Sequence, residues 1–361
     1  MSGAIQGELR VGIAGRRGQA FIAGLRSVPG VRIAAFCDLD PRTLEDAMAG
    51  HDIPRRYRDY AEMIASDLDA VIVATPMHLH VPQSIAALHR GLHVLSEVTA
   101  AVSLDECRQL VESVHASGRA YMMAENYCYT KPNALVREMA RRGLFGDLYY
   151  AEGAYIHDCH EIHYDAEGRP TWRTTWQVGK NGCTYGTHSL GPVLQWLDDR
   201  VASVACLGSG VHTEPRHTMD DTVTMLCKTE RGSLADIRLD MQSHRPHTMT
   251  HYALQGTKGA YQSARRLGEP DLVWIDGMSP GRQEWEDLES YEPYFLPEPW
   301  RSLGDDARRA GHGGGDYFVA RDFAMSIVHG TPPPIDVYRA LDFTLPGLVS
   351  EESIARGGMP L

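Results

Sequence analysis

Five runs in the first third of the chain, "LRVGIAG", "VRIAAFCD", "DAVIVAT", "HVLSE" and "AYMMAE", are almost continuously apolar and rich in Val, Ile and Ala. Strands buried on both faces of a parallel sheet read this way, because helices cover both sides. Helical segments with readable ends separate the runs. Ser103 and Glu106 have the spacing of a capping box opening "SLDECRQLVESVHASG", and Gly91 and Gly143 stand where a helix needs a left-handed residue to stop. This alternation predicts a doubly wound α/β domain to about Glu125.

Beyond Asn126 the rhythm changes. After a helix over "PNALVREMARRG", the segments "DLYYAEGAYIH", "VASVACLGS", "DTVTMLCKTE", "GSLADIRLDMQS", "HTMTHYALQG" and "GAYQSA" read as strands, several joined by glycine turns such as "TERGS" and "GTKG". An open, mostly antiparallel sheet with helices is expected, giving an α+β domain over 127–361 behind an α/β domain over 1–126. The segment 262–315, rich in Pro, Gly and charge, predicts long loops, and 316–330 a helix.

The length of 361 residues exceeds what a single core usually serves, in agreement with two domains. A formal charge of -12 argues against nucleic acid and anionic membranes as partners. No apolar run approaches a bilayer span, and "MSGAIQGELR" lacks a signal-peptide pattern, so a cytoplasmic protein is expected. Seven widely spaced cysteines without a C-x-x-C pair fit reduced thiols.

Candidate chemistry begins at "VGIAGRRGQAFIAGL", which follows the first strand and opens a helix, as a dinucleotide fingerprint must. Gly15 takes the first glycine position, Arg17 the second and Ala20 the third; Arg16, Gly18 and Gln19 complete the turn. The middle glycine normally lets backbone approach pyrophosphate, so Arg17 is a departure whose side chain is expected to contact phosphate instead. Asp38, 23 residues after Gly15 at the end of the second strand, suits the adenosine ribose hydroxyls and disfavours a 2′-phosphate, which selects NAD over NADP. Asp40, before Pro41, is the better helix cap and leaves Asp38 available.

Two further stretches, "DAVIVATPMHLHVPQSIAALHRGLHVLSEVTAAVSLDEC" and "GTKG", make nearly the whole chain resemble the Gfo/Idh/MocA oxidoreductases. The resemblance implies that Thr75, Pro76, His80 and Glu97 surround the nicotinamide ribose and that Asn126 follows the last Rossmann strand. Where the family has E-K-P, this chain has Glu97-Val98-Thr99, so the lysine that eases hydroxyl deprotonation in ordinary sugar dehydrogenases is missing. Only four lysines occur, Lys131, Lys180, Lys228 and Lys258, and Thr184 replaces the family's aspartate four before the catalytic histidine.

Taken together, "GRRGQ", "EVT", "MMAENYCY", "RRGLFGDLYYAEGAYIHD", "YGTHSLGPV", "GHGGGDY" and "DVY" resemble the branch of NAD-dependent α-N-acetylgalactosaminidases and related redox glycosidases. Such enzymes oxidise C3 of the sugar, eliminate the C1 substituent by loss of the acidified C2 proton, add water and reduce again. The resemblance implies His188 as the hydroxyl base and Tyr185 as the C2 acid/base, with the two roles exchangeable. Histidine titrates near neutrality, whereas tyrosine needs neighbouring cations to act as a base. Spacing of three at a helix start puts both on one side. A buried tyrosine and a capped histidine that merely hold the helix to the sheet would give the same pattern.

His312, in "GHGGGDYF", is either a leaving-group acid, as the resemblance suggests, or part of a flexible turn. His157, Asp158 and Tyr127 line the sugar site by the same resemblance. Arg169 and Arg173 are candidates to bind an anionic sugar substituent, or else belong to a solvated loop. His157, His160 and His163 lack the helical H-E-x-x-H geometry, so no metal is expected. His244, Arg245 and His247 are given no role. The expected partner is a small sugar glycoside, α-N-acetylgalactosaminide or an anionic sugar such as sulfoquinovoside. The family resemblance implies a homodimer or homotetramer. The rival functions are an NAD-dependent sugar or polyol dehydrogenase and a non-catalytic nucleotide-binding sensor.

Overall fold

A computed structural model describes residues 7–246, 248–303 and 305–361; the first six residues, His247 and Gly304 lie outside it. The chain forms two compact units. The first comprises the residues up to Tyr129 together with Leu303–Leu341, so that 303–341, grouped by sequence position with the second domain, clusters with the first.

In the first unit, β1 (Leu9–Ala14), β2 (Val31–Cys37), β3 (Arg56–Tyr57), β4 (Ala70–Val73), β5 (His93–Ser96) and β6 (Tyr121–Met123) form one parallel sheet in the order β3-β2-β1-β4-β5-β6. β4 and β5 are buried along their whole length, as their unbroken apolarity requires. Two-residue β3, polar in sequence, carries no such signal. Asp40 caps the helix Pro41–His51 by accepting from the Arg42 amide. Ser103 accepts from the Glu106 amide at 3.2 Å, but Glu106 returns its bond to Val102, at 2.8 Å, one residue earlier than a capping box prescribes. The helix Gly315–His329 crosses Ile22–Arg26 where a β-carbon on Gly24 would lie 2.1 Å from the Tyr317 carbonyl oxygen.

The second unit, Thr130–Ser302 with Asp342–Leu361, carries an eight-stranded sheet. Its strands are β7 (Leu148–Ile156), β8 (Val201–Gly208), β9 (Val223–Thr229), β10 (Leu234–Asp240), β11 (Met249–Gly256), β12 (Gly259–Gln262), β13 (Leu272–Ile275) and β14 (Glu286–Asp287). Their order is β14-β13-β12-β11-β7-β10-β9-β8, antiparallel except at the β7–β10 pair. Met225, Cys227, Ala235, Ile237 and Leu239 alternate onto one buried face. The helix Thr187–Leu197 lies on that face, and Gly153 of β7 admits it: a β-carbon there would lie 2.7 Å from the Ser189 carbonyl oxygen. The stretch 262–315 is not all loop, for β13, β14 and the short helices Glu292–Phe295, Glu298–Arg301 and Asp305–Arg309 fall within it. β13 is only four residues long and is specified by pairing with β12 rather than by a long apolar run.

All seven cysteines are buried and, among the described residues, none is in a disulfide; burial pushes the thiols of Cys37, Cys107 and Cys159 up to about 12. Among the described residues, no helix is long and apolar enough to cross a membrane.

Candidate active site

In the first unit β1 ends at Ala14 and the chain turns at Gly15, whose φ of 93° and close approach to Ala74 both require glycine. A β-carbon would lie 2.2 Å from the Ala74 carbonyl oxygen. Gly18 supplies the other close approach, 2.4 Å from Ile13 Cγ2, and the turn Arg16–Phe21 is a 3₁₀ segment before the helix begins at Ile22. Arg17, expected to reach phosphate, is instead held by two carboxylates: Nε lies 3.0 Å from Glu97 Oε1 and Nη2 2.6 Å from Asp316 Oδ1. Arg16 is exposed and has no ion pair among the described residues, and Gln19 and Ala20 are half-buried beside it.

Asp38 lies just past β2, where its Oδ1 accepts from the Asp40 amide at 2.9 Å. Thr75 donates through Oγ1 to Gln83 at 2.6 Å, and Pro76 closes the strand end. His80 does not reach outward. Its Nδ1 and Nε2 face the carbonyl oxygens of Thr99 and Thr75, at 3.0 and 2.8 Å, and burial lowers its pKa against the opposing effect of these two acceptors.

Three donors converge on fully buried Asp316, which the sequence reading did not single out. Arg17 binds Oδ1 at 2.6 Å, Asn126 Nδ2 the same oxygen at 2.8 Å, and His312 Nδ1 binds Oδ2 at 3.0 Å. Burial alone would raise its pKa, but hydrogen bonds from His312 and Arg17 bring it down to about 2. The ring of Tyr127 meets that of His312 edge-on at 5.6 Å. Asn126 is 2% exposed and its Oδ1 has no hydrogen-bond partner among the described residues. An orphaned acceptor beside a glycine-cradled turn suits a bound group with a donor to offer, as a nicotinamide amide has.

In the second unit Tyr185 sits in the turn before the helix Thr187–Leu197, not on its first turn as the spacing predicts, and Gly186 caps the helix. The two rings nonetheless meet: Tyr185 and His188 are 5.4 Å apart at 86°. Both contact a third ring, Tyr155 of β7, 5.1 Å from His188 and 6.0 Å from Tyr185. The Tyr155 hydroxyl is 2.6 Å from His157 Nδ1, so His157 joins the same cluster. The strand period carries Tyr155 onto the buried face with Ala151 and Gly153, which is the signal that could have named it.

His188 is fixed through its backbone. Pro192, four residues on, has no N–H for the His188 carbonyl, and the buried Tyr252 hydroxyl of β11 donates to it instead at 2.5 Å.

Other predicted residues fall apart from this cluster. Asp158 is exposed and holds the amide and ring of His160 at 3.0 and 2.5 Å. Arg169 is exposed and spent on Asp165 and Glu167 at 2.7 and 2.8 Å. Arg173 is half-buried, stacked 4.4 Å over Trp172, and has no carboxylate partner among the described residues. No group of His, Cys, Asp and Glu among the described residues has the geometry to hold a metal.

Comparison with known proteins divides the chain along its sequence. Residues 9–125 match the oxidoreductase family's NAD-binding Rossmann fold, and residues 129–361 match the C-terminal domain of glycosyl hydrolase 109. The chain belongs to glycosyl hydrolase family 109. A family 109 protein of Solibacter usitatus is 31% identical over 393 aligned positions that cover 98% of this chain and 87% of the relative. One from Shewanella pealeana is 30% identical, with 96% and 82% covered. Among solved structures, levoglucosan dehydrogenase in complex with NADH and levoglucosan aligns at a TM-score of 0.83 and 20% identity, covering 98% of this chain and 99% of that one. At that identity the likeness shows a shared fold.

This member of family 109 thus joins an NAD-binding domain, with NAD as its cofactor, to the family's own C-terminal domain. Membership makes it an NAD-dependent glycosidase or dehydrogenase.

Proposed function

We propose that this family 109 protein is an NAD-dependent glycoside hydrolase that cleaves by oxidation at C3, elimination across C1 and C2, addition of water and re-reduction. The observation that carries the reading is the ring cluster of Tyr155, Tyr185 and His188 joined to His157. It sets two proton-transfer groups side by side, and such chemistry needs a second one for the C2 proton. Bound NAD supplies the hydride acceptor and later the donor; Gly15, Arg16, Gly18, Gln19 and Ala20 would hold its pyrophosphate, Asp38 its adenosine ribose, and Thr75, Pro76, Glu97 and Asn126 its nicotinamide end.

His188 accepts the proton of the C3 hydroxyl as that carbon is oxidised. Tyr185 removes the C2 proton acidified by the new ketone, the C1–O bond breaks, and His312 protonates the departing oxygen. Water then adds at C1, giving its second proton to His312, while Tyr185 returns a proton to C2, and His188 returns its proton to the C3 oxygen as that carbon is reduced.

The lysines support hydrolysis over simple dehydrogenation. Val98 stands in the family's lysine position, while Lys131 pairs with Glu292, Lys180 with Glu351, and Lys228 donates to the Gly232 carbonyl. For the substrate, Arg173, without a carboxylate partner among the described residues, favours an anionic sugar such as a sulfoquinovoside over α-N-acetylgalactosaminide. Half-exposed Leu207 and Leu226 with Asp236 and Arg238 on the sheet support a second copy of the chain as partner, in a dimer or tetramer. Seven buried cysteines, none in a disulfide among the described residues, support a reducing, cytoplasmic setting.

The test is turnover of p-nitrophenyl α- and β-glycosides, sulfoquinovoside and N-acetylgalactosaminide included, in deuterated water with catalytic NAD. Nitrophenol release with deuterium at C2 and no net NADH is expected, and Tyr185→Phe should accumulate NADH without releasing aglycone. Stoichiometric NADH without aglycone from the unaltered protein would establish the dehydrogenase instead.

A further inference from the structure

The run Gly311–Asp316 is built more tightly than a flexible turn requires. His312 has a φ of 54°, in the left-handed region where a non-glycine residue is uncommon, and Gly313 and Gly314 follow at 59° and 97°. A β-carbon on Gly311 would lie 2.1 Å from Asp316 Oδ2, and one on Gly315 2.4 Å from the Asn126 carbonyl oxygen. These two glycines let the Asp316 carboxylate close on the His312 ring and let the segment seat against Asn126.

The carboxylate is asymmetric in its partners. Oδ1 accepts from Arg17 and Asn126, whose groups can only donate in these contacts, so that oxygen is fixed. Oδ2 faces His312 Nδ1 at 3.0 Å. An ionised carboxylate accepts only, so Nδ1 carries a proton and Nε2 is the nitrogen left to pass a proton to the departing oxygen. Nε2 makes no hydrogen bond among the described residues, and the side chain is 32% exposed.

We propose that Asp316 is a positioning residue: it fixes the tautomer and orientation of His312, and through Arg17 ties that imidazole to the dinucleotide-binding turn. This rests on the role in proton transfer proposed above for His312. The arrangement has the logic by which a buried carboxylate orients the histidine of a hydrolytic triad.

Asp316→Asn tests it. The new amide must keep its oxygen toward Arg17 and Asn126, which turns its NH₂ toward His312 Nδ1 and forces the proton to Nε2. Nitrogen NMR of histidine-labelled protein should show Nδ1–H in the unaltered enzyme and Nε2–H in the variant. We expect kcat to fall on the order of 10²–10⁴-fold with KM within about two-fold. If His312→Gln is inactive while Asp316→Asn keeps both Nδ1–H and full kcat, the positioning role is overturned. If His312→Gln is fully active but the tautomer still flips, Asp316 positions the ring and the role given to His312 fails. Should Asp316→Asn not fold, Gly311→Ala keeps the carboxylate and wedges a methyl group against Oδ2. A ten-fold or greater loss of kcat is then expected, and an unaltered kcat would refute the proposal.

Discussion

Substituting Tyr252 by Phe removes one oxygen from a buried site and leaves the ring packing of Trp196 on Tyr252, 5.5 Å apart, in place. What is lost is the 2.5 Å bond to the His188 carbonyl, the group to which Pro192 offers no N–H. A buried acceptor deprived of its donor costs about 1–3 kcal/mol. For a unit of this size that corresponds to a fall in melting temperature of roughly 2–12 °C, at about 2–4 °C per kcal/mol. Because His188 is held by its backbone at this bond, kcat should fall as well. The informative assay is a double-mutant cycle: thermal melts of Tyr252→Phe, Pro192→Ala and the pair. Alanine at 192 supplies the amide that proline lacks, so Tyr252→Phe should cost at least about 1 kcal/mol less in that background. Equal costs in both backgrounds, or no cost in either, would refute the account of how the helix presents His188.

Other consequences are as direct. His163 is fully buried with no hydrogen-bond partner on either ring nitrogen among the described residues, and burial lowers its pKa to about 4. That lies below the unfolded value of about 6.5, so between those limits the unfolded chain binds the extra proton. Stability should therefore fall as pH drops from about 6.5 to 4, by up to about 3 kcal/mol from this group, and be unaffected above neutrality. Buried His93 and His251, each also lowered to about 4, act with the same sign. Between pH 7 and pH 4 the denaturant midpoint of His163→Phe should rise relative to that of the unaltered protein if the slope has this origin; parallel profiles would exclude it. Gly15→Ala sets a β-carbon 2.2 Å from a backbone oxygen at a φ of 93°, and NADH titration should show affinity reduced at least ten-fold. An unchanged Kd would mean that the turn does not cradle the cofactor.

What the sequence determined is what local periodicity and residue chemistry encode. The buried parallel strands, the order of two domains, the glycine turn after β1, the carboxylate ending β2 and the pairing of Tyr185 with His188 were all legible. Each depends on residues close in the chain or on a resemblance carried by contiguous motifs. Only the tertiary structure decided where long-range partners fall. It returned 303–341 to the first unit and so set Asp316 on Arg17, 299 residues away in sequence. It brought Tyr155 against His188, gave the His188 carbonyl the Tyr252 hydroxyl, paired β13 with β12, and spent His80 and Arg169 on local struts. A side chain's identity states what it can donate, accept or ionise. Which of those capacities is used depends on the groups packing brings within about 3 Å, and that distance is fixed by the whole fold.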